Sequence, residues 1–213
     1  MKLTWHGHSC FQLEAEGGSL VLDPYAPGSV PGLVLPPLSA DLVLCSHGHR
    51  DHAYARGVKL SGRSPAFSVK RLPCFHDDRG GSLRGENLIH VIEAEGLRIA
   101  HLGDLGHMLS REQCAALGKL DVLLIPVGGH YTIGPDTAAD LARAVGARIT
   151  VPMHYRGEGF GYDVIGPVTA FCAQMENVRY SDSWVLDPGR EEAGVIVLRC
   201  PTARGTDNPL LGA

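Results

Sequence analysis

The segment Asp41–Tyr54, DLVLCSHGHRDHAY, constrains the fold more than any other part of the chain. The apolar run DLVLCS reads as a buried strand. Directly behind it stand His47, His49, Asp51 and His52. An isolated buried histidine is usually a hydrogen-bonded core residue, but four ionisable groups in one dry loop would each need a separate partner. Bare imidazoles also repel one another once protonated. A divalent cation resolves both problems. Imidazole nitrogen and carboxylate oxygen are donors that zinc takes, and manganese and iron accept the same set. In an extended segment residues two apart point to one side, so His47 and His49 are expected to face one ion. Asp51 and His52 follow at a turn and are expected to face a second. Cys45 lies inside the strand and is not expected to ligate.

The remaining pattern puts further ligand types where strands end. KLTW, CFQLE and SLVLD read as short strands, the last ending on Asp23. The segment PYAPGSVPGLVLPP follows, and its prolines forbid a central strand or a helix interior. KRLPCF, NLIHVIE and GLRIAHLG continue in strands, with His76 and Asp104 just beyond two of them. SREQCAALG carries Ser110 and Gln113 at capping-box spacing and closes at Gly118. DVLLIPVGG reads as a buried strand. GPDTAADLARAVGA reads as a helix with Pro135 in its first turn and Gly146 past its end. RITVPMHY is a strand ending on His154. PVTAFCAQM is a weak helix, and VRYSD, WVLD and GVIVLRC are strands. Residues 1–200 are expected to form a single domain and residues 201–213 a poorly ordered tail.

Composition narrows the class. The chain has 213 residues, enough to bury a core without disulfide staples. Its net charge of −4 argues against a nucleic-acid surface, which needs a basic stripe. Six cysteines without a CxxC pair suggest free thiols in a reducing compartment. No apolar run approaches membrane-spanning length, and the N-terminus lacks the apolar stretch of a signal peptide. The expected location is cytoplasmic.

The HxHxDH motif at the end of an apolar strand resembles the signature of the metallo-β-lactamase superfamily. HGHSCF with LVLDP, then HDDRGG, IAHLGDLGH, VLLIPVGGHYTIGP and VPMHYRG, stand in the order of the small metal-dependent hydrolases related to L-ascorbate 6-phosphate lactonase. The resemblance covers about residues 1–160. It implies an α/β (α+β) fold, an αββα sandwich of two mixed β-sheets flanked by helices, with a dinuclear site at one edge. Carried onto this chain, His47, His49 and His76 would bind one metal, and Asp51, His52 and His154 the other. Asp104 would bridge them. Asp23 would hold the histidine loop by hydrogen bonds, and His8 would line the pocket.

Two ions sharing a water lower its pKa toward neutrality. The expected activity is therefore hydrolysis of an ester, lactone, amide or phosphoester of a small molecule, with two divalent ions, zinc first and manganese or iron as alternatives. Asp51 can accept a hydrogen bond from the nucleophile while it ligates. His130, or else His107, is the candidate proton donor to the leaving group. His101 is expected to support the Asp104 loop, and His6 and His90 to be structural or exposed. Arg50, Arg56, Arg79 and Arg156 lie near the ligand loops without marking an anion site. The alternative is a non-hydrolytic metalloprotein on the same fold. Diiron redox relatives, however, usually carry glutamate where His49 stands, and degenerate scaffold relatives lose ligands. No nucleic-acid or membrane partner is expected.

Overall fold

A computed structural model describes residues 1–201. The tail expected from residue 201 therefore lies, apart from Pro201, outside the described residues. The chain opens as a meander of β1 (Lys2–Trp5), β2 (Phe11–Ala15) and β3 (Gly18–Leu22), paired antiparallel in sequence order. After the proline-rich segment come β4 (Leu38–Ala40), β5 (Leu42–Leu44) and β6 (Val58–Leu60). β5 joins β3 in parallel, while β4 and β6 form a separate two-stranded sheet. Strands β4 and β6 are not evident in the sequence, because three residues give too few positions for an alternation to register.

Then β7 (Ser68–Phe75), β8 (Glu86–Ala94) and β9 (Leu97–His101) run antiparallel. Alternation follows: α1 (Arg111–Leu117), β10 (Val122–Pro126), α2 (Pro135–Val145) and β11 (Ile149–Met153). The chain ends with α3 (Thr169–Cys172), β12 (Val178–Tyr180), β13 (Val185–Leu186) and β14 (Gly194–Val197). One mixed sheet has the order β13-β1-β2-β3-β5 and the other β12-β14-β11-β10-β9-β8-β7.

Local chemistry sets the helix ends. Ser110 Oγ accepts from Gln113 N and the Gln113 side chain accepts from Ser110 N, the expected capping box. Gly146 closes α2 in the left-handed conformation at φ 62°, which glycine adopts without a Cβ clash. The helix expected over PVTAFCAQM shrinks to four residues. Its Val168, Thr169 and Phe171 are weak helix formers, and one turn barely repays nucleation.

Two cores result from strand alternation. Leu20 and Leu22 of β3 point between the sheets, among Leu3, Trp5, Leu13, Ile89 and Ile99. Val21 points the other way, into a smaller core with Tyr25, Val30, Leu33, Leu38 and Val58. That outer face is covered by the proline-rich segment and the β4–β6 pair. Helix α2 packs on β10 with α1 and α3 beside it. Strands β10 and β11 are consequently buried at every position, as parallel strands covered on both faces must be.

The ladders also define one edge. β9, β10 and β11 are parallel and in register, so their C-terminal ends open together. β3 and β5 likewise end side by side, with Asp23 N donating to Leu44 O.

Candidate metal centre

At that edge His8 follows β1, Asp23 follows β3, and His47–His52 follow β5. His76, Asp104 and His154 follow β7, β9 and β11. The ligand atoms of His47, His49 and His76 lie within 4.8 Å of one another, and so do those of His8, Asp51, His52 and His154. His47, His52 and Asp104 form a third such group that joins the other two. Asp104 Oδ2 is central. It lies 3.2 Å from His154 Nε2, 3.3 Å from the Nε2 atoms of His52 and His76, and 3.9 Å from His47 Nε2. The motif is less extended than its alternation suggests. His52 N and Ala53 N both donate to His49 O, so the segment turns back on itself. His47 and His49 still meet, with ring centroids 4.6 Å apart.

Asp23 fixes two of these imidazoles. It is fully buried. Its Oδ1 accepts from Ser46 N at 2.7 Å, and its Oδ2 accepts from Ser46 Oγ at 2.6 Å and from His52 Nδ1 at 2.8 Å. The His52 proton is thus held on Nδ1, away from the cluster. Ser46 has one hydroxyl proton and gives it to Asp23. Its oxygen must therefore accept from His47 Nδ1, 2.9 Å away. In their neutral forms both histidines turn the Nε2 lone pair toward Asp104, the arrangement found in metal-bound histidines with an acceptor behind them.

The donor set fits divalent cations. His47 Nε2, His52 Nε2, His154 Nε2 and Asp104 Oδ1 are buried without a hydrogen-bond partner. His52 and His154 come within 3.3 Å of Asp104 but are not aligned to bond to it. Each such orphan costs about 1–3 kcal/mol unless something satisfies it. Several orphans aimed at one small volume share that need, and a cation between them meets it.

The electrostatics agree for His47 and His8, whereas at His52 burial opposes the charge but Asp104 and Asp23 outweigh it and raise its pKa well above the usual range, so that a cation at Nε2 would displace a proton there. Burial, and then the charge of His52, pushes the His47 pKa down to about 3, so its lone pair is free. Burial, and then His154, takes His8 to about 4. Burial alone would raise the Asp104 pKa, but His154 and His52 beside it hold the carboxyl well below the usual carboxylate range. Burial works against the charge of Asp51 too, and His8 and His52 outweigh it.

The surrounding loops are built tightly. Asn87 Oδ1 accepts from Asp104 N at 3.0 Å, and its amide donates to Leu102 O at 2.9 Å. His101 supports the same loop, as expected, by accepting from Gly103 N at 3.2 Å. Asp77 caps the loop after His76, its carboxylate accepting from the backbone N–H groups of Arg79, Gly81, Leu83 and Arg84.

Other expected residues stay outside the cluster. The His130 ring is exposed and packs against Tyr131, with centroids 4.5 Å apart, and its carbonyl accepts from Arg84. His107 pins a strand end by accepting from Phe75 N at 3.2 Å. Arg56 lies over the Tyr54 ring, and Arg156 donates to Ile165 O. The Arg50 and Arg79 side chains are exposed. Conversely, a His8 ring nitrogen lies within 4.8 Å of the donor atoms of Asp51, His52 and His154, and Tyr162, which no sequence pattern marks, sends its hydroxyl to within 3.2 Å of Asp51 Oδ2. Ser46 and Asn87 also escape a sequence reading, being ordinary polar residues whose role depends on distant partners.

Comparison with known proteins agrees with this architecture. The family model described as "Beta-lactamase superfamily domain" matches residues 2–154. A UPF0173 metal-dependent hydrolase of Thermoplasma volcanium is 30% identical over 189 residues, covering 73% of this chain and 83% of that one. One from Methanoculleus marisnigri is 31% identical over 188 residues, covering 73% and 81%. A Thermotoga maritima structure described as a candidate Zn-dependent hydrolase of the metallo-β-lactamase superfamily superposes with a TM-score of 0.74 at 34% identity, covering 92% of this chain and 97% of its own.

Proposed function

The chain belongs to the β-lactamase superfamily, as a metal-dependent hydrolase, and from that premise we propose that it hydrolyses an ester, lactone, amide or phosphoester of a small molecule at a dinuclear centre. His47, His49 and His76 would hold one ion, and Asp51, His52 and His154 the other, with Asp104 between them. When bound, two such ions supply Lewis acidity and bring a water toward ionisation at neutral pH. Zinc is the first choice, given the donor set and the metal named for the Thermotoga relative, with manganese or iron as alternatives.

The chain's own residues do the rest. Asp104 contributes negative charge among converging donors. Asp23 and Ser46 keep the protons of His52 and His47 on the far side of their rings. Asp51 is ionised and can accept a hydrogen bond from the attacking water. His130, exposed and linked toward Asp51 through Tyr131 and Tyr162, is assigned proton donation to the leaving group. The net charge of −4 supports a small-molecule substrate over nucleic acid. No helix among the described residues is long and apolar enough to cross a membrane. All six cysteines are unpaired, which supports a reducing, cytoplasmic setting.

The observation that carries the reading is the convergence of orphaned Nε2 atoms on Asp104. The test is metal content by mass spectrometry, followed by turnover on a panel of esters, lactones, amides and phosphodiesters before and after chelation. Two ions per chain and chelator-sensitive turnover are expected. A chain that binds at most one zinc, manganese or iron ion would overturn the dinuclear reading, and turnover that survives complete metal removal would overturn the metal dependence.

A further inference from the structure

We propose that His8 is a positioning residue that carries its proton on Nε2 and donates it to Asp51 Oδ2, fixing the carboxylate offered to the second ion. The inference rests on the dinuclear reading above and adds a role for a residue outside its ligand set.

His8 is built into the site rather than merely near it. It is 1% exposed, and its ring centroid lies 4.1 Å from that of His154 and 5.0 Å from that of His52. Its backbone is held at φ 52° by two donors to its carbonyl, Trp5 Nε1 at 3.0 Å and His154 N at 3.3 Å. Its Nε2 lies 3.3 Å from Asp51 Oδ2.

Proximity alone would suggest a further metal ligand, but the proton positions argue otherwise. His47 and His52 each have an acceptor behind Nδ1, which frees Nε2 to ligate. His8 Nδ1 is buried with no partner. A proton there would be a buried unpaired donor, and the Nε2 lone pair would face a carboxylate. With the proton on Nε2, the donor is satisfied and only an acceptor is left unpaired, the more tolerable defect.

Asp51 Oδ2 depends on that proton. His52 Nε2 lies 3.7 Å away, beyond hydrogen-bond reach, and the carboxylate oxygen's other hydrogen-bond partner is the Tyr162 hydroxyl, which has one proton and two acceptors, Ser29 O at 2.6 Å and Asp51 Oδ2 at 3.2 Å. The shorter contact takes most of it. His8 is thus the principal donor that orients Asp51.

Long-range proton–nitrogen NMR on the metal-free wild-type protein reads the tautomers directly. His8 is expected as Nε2–H and His47 as Nδ1–H. A His8 proton on Nδ1 overturns the proposal. Variants test the consequence. His8→Asn keeps a residue that tolerates the left-handed backbone and withdraws the Nε2 donor. His8→Gln restores an amide donor at about the same reach. In zinc titrations against a competing chelator, His8→Asn should weaken the second site by about 10–100-fold, as loss of a hydrogen bond to a ligand does, and His8→Gln should recover most of this. Wild-type affinity in His8→Asn overturns the proposal. Equal losses in both variants, with a changed visible spectrum of the cobalt-loaded protein, also overturn it and make His8 a ligand. A wild-type chain that never takes a second ion overturns the dinuclear reading instead, and the tautomer result stands apart from it.

Discussion

Replacing Asp23 by Asn isolates the tautomer control at the heart of the site. Asparagine preserves the volume and tolerates the residue's φ of 45°, so the backbone is not the variable. One amide oxygen can still accept from Ser46 N. The other carboxylate oxygen becomes an NH₂ group facing two donors, Ser46 Oγ and His52 Nδ1, at the former distances of 2.6 and 2.8 Å. The serine hydroxyl escapes by rotating. His52 escapes by moving its proton to Nε2, which then points at Asp104 Oδ2, 3.3 Å away, and no longer offers a lone pair; if the amide turns over instead, its NH₂ meets Ser46 N at the former 2.7 Å. Restoring the ligating tautomer leaves a buried donor against a donor, at about 1–3 kcal/mol. That corresponds to a loss of metal affinity of roughly 5- to 150-fold. The assay is zinc titration of metal-free protein against a chelator, with circular dichroism to confirm the fold. Unchanged affinity of every bound ion in a folded Asp23→Asn protein would refute the reasoning, because His52 would then ligate without its acceptor.

Asp104→Asn keeps the shape of the central carboxylate but removes its charge; metal stoichiometry at limiting zinc should fall toward one ion per chain with a large loss of turnover, and two ions held as tightly as in the parent would show that Asp104 is not the bridge. Asp77 should make the His76 loop acid-sensitive: burial opposes its charge, but the N–H groups of Arg84, Arg79, Gly81 and Leu83 bring its pKa from 3.8 down to about 2. A pKa depressed on folding contributes stability above pH 3.8 that is lost as the pH falls toward 2, so the exchange protection factors of the Gly81 and Arg84 amides, corrected for the intrinsic pH dependence of exchange, should fall over that range in wild type and stay level in Asp77→Asn. In Gly103→Ala the added Cβ would stand 2.4 Å from Ser46 Cβ and 2.5 Å from Asn87 Oδ1 at φ 55°, and overpacking plus left-handed strain of on the order of 3 kcal/mol should lower the melting temperature of the metal-free protein by about 6–12 °C.

What the sequence makes legible follows the reach of its signals. Alternation over five residues identifies β2 and β3, capping chemistry identifies α1, and the clustered HGHRDH identifies the core of the site. His76, Asp104 and His154 stand out in the sequence only as ligand types at strand ends, and their separate roles come through the resemblance, since each stands alone in its loop. Chain proximity misleads for His107, three residues from Asp104, because its ring turns to the backbone of β7. It also misses Tyr162, which meets Asp51 across 111 positions. The proton arrangement is less legible still. It depends on Ser46 standing between Asp23 and His47, and a serine after an apolar strand has no distinguishing pattern.

Backbone strain gives an independent argument for where the chemistry lies. Among the described residues six non-glycine residues have positive φ. Glu95 and Asn177 lie in connections between strands or beside one, where such a residue serves a turn. The other four are His8, Asp23, His130 and His154, all beyond strand ends. Left-handed backbone costs an ordinary side chain roughly 1–2 kcal/mol, so each must be held by its surroundings. His8 and His154 are held by one hydrogen bond between them, His154 N to His8 O, and Asp23 by Leu44 O. A chain folding only for stability would place glycine or asparagine there. Histidine and aspartate at three such positions trade stability for the direction of a donor atom, and His130 bears the same strain although its ring lies outside the cluster. Strain at His130 with no ligand role fits a residue presented to a substrate, and it favours His130 over His107 for the proposed proton donor.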